Sequence, residues 1–395
     1  MTAPHASAAL PEAFDHQDEV FAGAFNVLQE AITDLAFPAA SVAVTYRGRL
    51  VALKALGRFT YEPGAPPFSR TLREEPALSL SKGGGFDFEV VTSTLFDLGS
   101  VTKVVATTTT AMLLYERGLL DLDAPVSAIV PEFTNDPAKD PRRHEVTLRM
   151  LLAHSSGLPA YAKLFLKSRT RDQLLQAAFT MPLATNPATS AVYSDIGFMI
   201  LGVALERLAD ESLDRFCQRE IFSPLAMTST TFNPPTELRA QIPPTVDDQT
   251  FRQRIIQGEV FDENASILGG VAPQAGLFST AADLAKFAQA MLNQGRPILR
   301  PETVALFTRR ESVPPGTSRA LGWDTPSSPS QSGKYFSPQS FGHLGYTGTS
   351  LWIDPTRQLS VTLLTNRTWP DSSNLAIKQV RPRFHDAIIE ALNED

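Results

Sequence analysis

The first 60 residues change from a helical to a strand-like pattern of apolar positions. Over residues 18–36 the apolar side chains recur every three or four positions, which predicts an amphipathic helix. The next stretch, SVAVTYRGRLVALKALG, contains two strand-like runs around Arg47-Gly48 and predicts a β-hairpin. Residues 61–94 break both patterns with many Pro, Gly, Ser and Glu residues, which predicts a long surface loop or insertion.

Residues 101 to about 275 carry a mostly helical pattern. The first predicted helix runs from Val101 to about Arg117 and ends at Gly118. The apolar segment SDIGFMILGVALERLA predicts a buried helix, and residues 228–268 predict mostly loop. Residue types that are preferred at helix N-caps precede three further helical segments, at Thr147, Thr170 and Ser212.

The strand pattern returns after residue 340. TSLWID and LSVTLLTN predict two strands, and residues 383–393 predict a final helix. The strands from both ends of the chain can form one antiparallel sheet, covered by the N- and C-terminal helices. We therefore predict an α+β fold, with an α/β sandwich domain (18–100 and 276–395), an inserted, mainly helical domain (101–275) and an active-site cleft between them.

The bulk composition excludes several classes of function. The chain has 395 residues, of which 43% are hydrophobic and 19% charged, as is typical of globular proteins with room for two domains. A net charge of −7 without a basic stripe argues against a nucleic-acid partner. No apolar run is long enough to span a bilayer, and the N-terminus lacks the pattern of a secretion signal. We expect a cytoplasmic protein that acts on a small molecule and not at a membrane.

Several kinds of catalytic site lack their sequence patterns. No Gly-x-Ser-x-Gly, His-Glu-x-x-His or Cys/His cluster occurs, and no phosphate-binding loop follows a strand. We therefore expect neither a metal nor a cofactor. His144 and His154 are isolated and expected to be structural. Cys217, the single cysteine, excludes an internal disulfide and is expected to be a small buried hydrophobic residue.

Ser100 and Lys103 lie three positions apart at the start of a predicted helix, in DLGSVTK. Positions i and i+3 share a helix face, so the Lys103 amine can reach the Ser100 hydroxyl. A base makes serine a nucleophile, and a helix N-terminus supplies N–H groups for an oxyanion. The alternative is that Ser100 is an ordinary N-cap. A second Ser-x-x-Lys, at residues 79–82, runs into three glycines and cannot begin a helix.

Two further segments supply groups that such chemistry requires. A free lysine is protonated at neutral pH, so we expect Tyr193 to assist it, with a pKa lowered by the neighbouring ammonium. Tyr193 is followed two positions later by Asp195. In GHLGYTGTSLWIDP, His343 and Gly345 lie where a strand can approach a ligand, and the Tyr346 N–H can be a second oxyanion donor. The alternatives are a surface tyrosine at a helix start and a structural histidine in a strand.

Together, SVTK, YSD and HLG resemble the motifs of the serine β-lactamase-related family, which includes class C β-lactamases, D,D-peptidases and family VIII carboxylesterases. Flanking segments such as TLRMLLAHSSGLP and GEVFDENASILGG are also similar, and the resemblance covers about residues 20–390. It implies that Ser100 attacks a carbonyl while Lys103 and Tyr193 move the proton. It also implies that the amides of Ser100 and Tyr346 hold the oxyanion, and that Asp195, in place of the usual Asn, orients Lys103 or the substrate.

The third motif departs from that of true β-lactamases. It more often begins with lysine, whereas here it begins with His343, which at an ordinary pKa is mostly neutral above pH 7. Anionic substrates then lose a clamp between about pH 6 and 8, and neutral esters lose little. We expect a serine carboxylesterase that forms an acyl-enzyme with small acyl esters. The alternatives are a β-lactamase or D-amino-acid peptidase acting on amides and, from another class, a non-catalytic penicillin-binding-like sensor.

Overall fold

The structure is a computed structural model that describes residues 10–61, 88–135 and 138–393. Most of the loop predicted at 61–94, and the second Ser-x-x-Lys at 79–82, lie outside these residues.

The described strands run in three sheets. They are β1 (Ala39–Tyr46), β2 (Arg49–Gly57), β3 (Phe96–Asp97), β4 (Thr231–Phe232), β5 (Val246–Asp248), β6 (Arg254–Ile256), β7 (Leu277–Ser279), β8 (Phe341–Leu344), β9 (Ser350–Asp354) and β10 (Leu359–Thr365). The main sheet has the order β2-β1-β10-β9-β8 and is antiparallel throughout. The predicted hairpin is confirmed, because β1 pairs with β2 and both Arg47 and Gly48 have the positive φ angles of a tight hairpin turn.

Helices cover both faces of this sheet. The described α-helices are α1 (Gln17–Val20), α2 (Ala22–Thr33), α3 (Thr109–Glu116), α4 (Leu148–Leu152), α5 (Arg171–Phe179), α6 (Asp195–Ala209), α7 (Leu213–Cys217), α8 (Glu263–Ile267), α9 (Ala281–Leu292), α10 (Pro301–Thr308) and α11 (Ile377–Asn393). Alternate residues of β1 point to opposite faces, as strand geometry requires. Val42 and Val44 belong to the apolar cluster with α2 and α11, whereas Ala39 and Ala43 belong to the cluster that includes α9.

The architecture is therefore the predicted one, a mixed α+β fold with an antiparallel sheet between helices. The chain between β3 and β7 is mainly helical and continues the cluster that includes α9. The domain boundaries at residues 100 and 275 stay a prediction. None of the helices in the described ranges is both long enough and apolar enough to cross a membrane.

Two predicted helices differ from those observed. The helix expected from Val101 is instead a 3₁₀ turn (Gly99–Val101), a π-helical segment (Lys103–Thr108) and then α3. The last helix begins at Ile377, earlier than predicted, and contains Pro382. A proline has no N–H for the carbonyl four residues before it, and here the Gln331 side chain donates to that carbonyl, of Lys378, at 3.0 Å.

All three predicted N-cap residues occupy the N-cap position, and two of them make a capping hydrogen bond. The hydroxyls of Thr147 and Thr170 accept the expected N–H groups at the starts of α4 and α5. Ser212 precedes α7, but its side chain makes no capping hydrogen bond. Residues 228–268, predicted as mostly loop, also contain β4, β5, β6 and α8. Cys217 is buried, as expected.

Candidate active site

The turn that carries Ser100 is held from two sides. Gly99 has a φ angle of +52°, which favours glycine, and a Cβ there would lie 3.1 Å from the Tyr346 backbone nitrogen. One carboxylate oxygen of Asp97 accepts the Gly99 N–H (2.8 Å), and the other accepts the Phe261 N–H (2.7 Å). The buried carboxylate therefore ties the Ser100 turn to a loop far away in the sequence.

Lys103 reaches Ser100, as the spacing predicts. Its Nζ is 3.2 Å from Ser100 Oγ, 2.6 Å from Asp195 Oδ1 and 2.9 Å from the Gln274 carbonyl oxygen. These three acceptors match the three N–H donors of an ammonium group. Burial lowers the pKa of Lys103, and the Asp195 carboxylate opposes that shift. Lys103 therefore gives up its proton more readily than an exposed lysine, as a base must.

Tyr193 packs against the lysine. The Lys103 Nζ lies 4.8 Å from the centroid of the Tyr193 ring. The buried Tyr193 hydroxyl is close enough to Ser100 and Asp195 for both to change its pKa, but its alignment gives no hydrogen bond to any residue that the structure describes. Burial raises the pKa of Tyr193 well above its usual value, so the expected lowering is wrong. Desolvation of a phenolate and the negative charge of Asp195 outweigh the attraction of Arg319, and the phenol stays neutral.

The segment before α6 fixes the position of Tyr193. The Ser194 N–H donates to Nδ1 of His154 (3.0 Å), and Ser194 Oγ caps α6 by accepting the Gly197 N–H (3.0 Å). The His154 ring contacts the Tyr193 ring, with 4.7 Å between centroids, and stacks on Phe198 at 5.0 Å. His154 is therefore a positioning residue, a role that the sequence did not indicate.

His343 lies on β8 and is buried, with its ring centroid 5.8 Å from that of Tyr193. Its Nδ1 donates to the Leu344 carbonyl (2.8 Å), and its Nε2 is buried without a hydrogen bond to any described residue. Burial lowers the pKa of His343 well below its usual value, and the charges of Lys103 and Arg319 add to that shift. The ring is therefore neutral throughout pH 6–8, which corrects the expectation that it gains charge within this range.

The turn after β8 is bonded directly to β3 and the residue that follows it. Thr347 Oγ1 donates to the Asp97 carbonyl (2.8 Å), and Thr349 Oγ1 donates to the Leu98 carbonyl (2.7 Å). A Cβ atom at Gly345 would lie 2.3 Å from the Leu98 oxygen and 1.9 Å from Thr349 Oγ1. The structure thus gives Gly345 a packing role against Leu98 and Thr349, and its predicted contact with a ligand stays a prediction.

The Tyr346 N–H lies against Gly99, next to the serine. It donates to no acceptor among the described residues, so a substrate oxygen can take it. Arg381 from α11 fixes the same turn by donating to two of its carbonyls (2.8 and 2.9 Å). The exposed Tyr346 ring is held between Phe261, with 5.6 Å between ring centroids, and the Arg367 guanidinium, at 4.3 Å. The rigid turn thus presents a free N–H donor where the resemblance implies an oxyanion hole.

A second carboxylate lies near Asp195. Asp262 caps α8 by accepting the Ala265 N–H (2.5 Å), and it receives Gln274 Nε2 at 3.4 Å. Burial and the charge of Asp195 raise the pKa of Asp262 to about 7. Lys103 is therefore in direct contact with the Asp195 carboxylate, and a second carboxyl group nearby, that of Asp262, has a pKa near neutral pH.

Sequence reasoning missed the groups that act through the backbone or lie outside the motifs. The Gln274 carbonyl, which accepts from Lys103, cannot be recognised in the sequence because every residue has a backbone carbonyl. Asp97 and Asp262 lie in segments adjoining the motifs, but nothing marks their partners. Arg319, whose guanidinium carbon is 5.3 Å from the Tyr193 ring centroid, has no signal at all. No three His, Cys, Asp or Glu side chains are grouped to hold a metal ion in the ranges that the structure covers.

The chain is similar to known proteins over most of its length. The family model described as Beta-lactamase matches residues 24–381. An N-acetylmuramyl-L-alanine amidase of Bacillus subtilis (strain 168) is 33% identical over 84% of this chain and 77% of its own length. A putative D-alanyl-D-alanine carboxypeptidase of Escherichia coli (strain K12) is 31% identical over 85% of this chain and 79% of its own.

A solved structure has the same fold. EstCE1, described as a hydrolase with promiscuous acyltransferase activity, superposes with a TM-score of 0.72 at 21% identity, over 94% of this chain and 99% of that one. The family is shown by the model match over most of the chain and by the two relatives above 30% identity. The chain belongs to the Beta-lactamase family of serine hydrolases.

Proposed function

We propose that the chain is a carboxylesterase that hydrolyses small acyl esters through an acyl-enzyme on Ser100. The observation that carries this proposal is the 3.2 Å contact between Ser100 Oγ and the buried Lys103 amine, beside the unbonded Tyr346 N–H. A lysine with a lowered pKa supplies a base, and the free N–H supplies an oxyanion donor. The cytoplasmic location stays a prediction.

The proposed reaction has two halves. Lys103, in its neutral form, takes the Ser100 proton while Oγ bonds to the acyl carbon, and the amides of Ser100 and Tyr346 hold the oxyanion. The ester C–O bond then breaks, and the proton passes from Lys103 through Tyr193 to the leaving alkoxide. Water then gives a proton to Lys103 as its oxygen bonds to the acyl carbon, and the C–Oγ bond breaks. Oγ takes the proton back from Lys103, which releases the acid and restores Ser100.

The state of His343 favours neutral esters over β-lactams. A β-lactam carries a carboxylate, and a neutral buried imidazole offers it no charge. A second candidate, hydrolysis of amides as a D-amino-acid peptidase or β-lactamase, is supported by the names of the two curated relatives. The non-catalytic sensor is disfavoured by the intact set of Ser100, Lys103 and Tyr193.

Rates with two substrates test the proposal. We expect kcat/KM for p-nitrophenyl butyrate to exceed that for nitrocefin, with both activities lost in Ser100→Ala. A higher value for nitrocefin would favour the β-lactamase alternative. Absence of turnover with both substrates and with D-alanyl peptides, in a protein that still binds a β-lactam, would favour the sensor.

A further inference from the structure

The turn that presents the Tyr346 N–H is held by two buried arginines, Arg367 and Arg381, which we call the arginine pair. Their relative exposures are 4% and 5%. Nη2 of Arg381 donates to the carbonyl oxygens of Gly345 (2.8 Å) and Thr349 (2.9 Å). Nε of Arg367 donates to the Tyr346 carbonyl oxygen at 2.7 Å. The arginine pair therefore binds the peptide units before and after Tyr346.

The arginine pair has no carboxylate beside it to balance its charge. The other side-chain hydrogen bonds of Arg367 go to the carbonyls of Ser372 and Asn374 (3.0 and 3.1 Å), and neither arginine forms an ion pair within the ranges that the structure covers. Burial, followed by the charge of Arg367, lowers the pKa of Arg381 to about 9, so Arg381 stays charged at neutral pH. Like charges buried without an anion destabilise a fold, so their presence beside the Tyr346 turn calls for a reason.

One hydrogen bond of the arginine pair acts on the peptide unit that carries the oxyanion donor. The Gly345 carbonyl and the Tyr346 N–H belong to the same amide, whose electrons are delocalised between oxygen and nitrogen. A cation that donates to the carbonyl oxygen polarises this amide and makes its N–H a stronger donor. The amide faces the Ser100 turn, because a Cβ at Gly99 would lie 3.1 Å from the Tyr346 nitrogen. The effect of Arg381 therefore reaches the position where a substrate oxygen binds in the proposed reaction.

We propose that Arg367 and Arg381 are positioning residues that strengthen the oxyanion hole through the peptide units of Tyr346. The resting protein holds two buried cations without an anion, and the oxyanion of the transition state supplies the missing negative charge. The stabilisation is therefore gained in the transition state and not in the bound substrate. The inference rests on the proposed function in requiring an oxyanion beside Ser100, and it applies to esters and amides alike.

The turn keeps other hydrogen bonds when Arg381 is replaced. The Gly348 N–H also donates to the Gly345 carbonyl (3.1 Å), and the Gly345 N–H donates to the Thr349 carbonyl (2.8 Å). Neither carbonyl is therefore left without a donor. We expect variants at Arg381 to fold, so that their effect on activity can be measured.

Substitutions at Arg381 test the inference by separating charge from hydrogen bonding. Glutamine and lysine both donate hydrogen bonds, but only lysine keeps the charge. With p-nitrophenyl butyrate we expect Arg381→Gln to lower kcat by about tenfold or more, with KM changed by less than about twofold, and Arg381→Lys to lower kcat by about threefold or less. Equal losses of kcat in the two variants, or a loss mainly in KM, overturn the inference, because an arginine that only holds the turn in place predicts these results.

A matched control is Arg383→Gln. Arg383 lies on the same helix, α11, but is exposed and pairs with Glu30 at 3.1 Å, so its loss should leave kcat unchanged. A comparable loss of kcat in this variant would contradict the inference. If Arg381→Gln does not fold, Arg367→Gln and Arg367→Lys make the same comparison on the other side of Tyr346, with the same expected order and the same contradicting results.

Phosphonylation of Ser100 separates this inference from the proposed function. A p-nitrophenyl alkylphosphonate directs a phosphoryl oxygen to the oxyanion hole and does not require ester turnover. If p-nitrophenyl esters are not hydrolysed, but Ser100 is phosphonylated about tenfold more slowly in Arg381→Gln than in Arg381→Lys, the carboxylesterase proposal fails and the role of the arginine pair stands. If the esters are hydrolysed and these two rates are equal, the role of the arginine pair fails and the carboxylesterase proposal stands.

Discussion

Lys103 and Tyr193, which both lie near Ser100, differ in how many hydrogen bonds the protein makes to their polar atoms. Lys103 has three acceptors, at 2.6, 2.9 and 3.2 Å, so each N–H of its ammonium form is engaged. The Tyr193 hydroxyl and the Nε2 of His343 are both buried, and neither makes a hydrogen bond to a described residue. Buried polar groups without partners are uncommon in folded proteins and indicate strain, a ligand or an ordered water.

This difference indicates that Lys103 and Tyr193 have different roles in the proposed reaction. The lysine side is fully built before substrate arrives, and the fold fixes its geometry. The proposed mechanism would complete the tyrosine side with the substrate, whose leaving group would supply a partner for the Tyr193 hydroxyl. A proton relay from the nucleophile to the leaving group requires the Tyr193 hydroxyl to bond to Ser100 or Lys103 as well as to the leaving group, so these contacts must form when substrate binds.

Removal of the Lys103 amine or the Tyr193 hydroxyl should have the largest effect on activity. The two variants should differ in their effect on thermal stability. We expect Lys103→Met and Tyr193→Phe each to lower kcat by about 10³-fold or more, and non-additively in the double variant, because the residues act as a unit. The melting temperature should fall in Lys103→Met, since three acceptors lose a donor, and stay within about 2 °C in Tyr193→Phe, since an unbonded hydroxyl is removed. Steady-state kinetics and thermal unfolding measure both effects. A Tyr193→Phe variant that keeps most of its activity would refute the relay.

Replacing the carboxylate beside the lysine should have an intermediate effect. Asp195 holds up the pKa of Lys103, so Asp195→Asn removes that influence and lowers the pKa further. If the neutral amine is the active form, the acid limb of the kcat/KM profile moves to lower pH, by about one unit. Profiles of both proteins with p-nitrophenyl butyrate check this. A limb that stays in place, or moves to higher pH, contradicts the assignment of Lys103 as the base.

The smallest effect concerns His343. Burial lowers the pKa of His343 well below its usual value, so its ring stays neutral between pH 6 and 8. KM for an ester that carries a carboxylate, such as 3-acetoxybenzoate, should therefore vary by less than about twofold over this interval. A KM that rises severalfold across this interval would show that His343 does bind the anion when protonated.

The strand and helix patterns were enough to predict the sheet, because its apolar positions repeat at fixed spacing. The hairpin at Arg47-Gly48 and the strands after residue 340 follow from local sequence. The π-helical segment from Lys103 was not predictable, because its backbone geometry depends on contacts with distant residues such as Pro273, whose carbonyl accepts from Thr107 (2.7 Å).

In the candidate site too, the features that depend on residues far apart in the sequence could not be predicted. Spacing placed Lys103 beside Ser100, and the motif order placed Tyr193 and Tyr346 with them. The sign of the Tyr193 pKa shift was wrong, because burial of the phenol depends on the packing of His154 around it. Arg319 was missed, because its approach to Tyr193 depends on an ion pair and a bridge to β8 that leave no pattern in the sequence.

Covalent labelling tests the central claim most directly, that an activated Ser100 forms the acyl-enzyme. After incubation with a p-nitrophenyl alkylphosphonate, intact mass and peptide mapping should show one adduct, on Ser100. The adduct should be absent in Ser100→Ala and form at least 10²-fold more slowly in Lys103→Met. An adduct on another residue, or one that persists in Ser100→Ala, would contradict the claim.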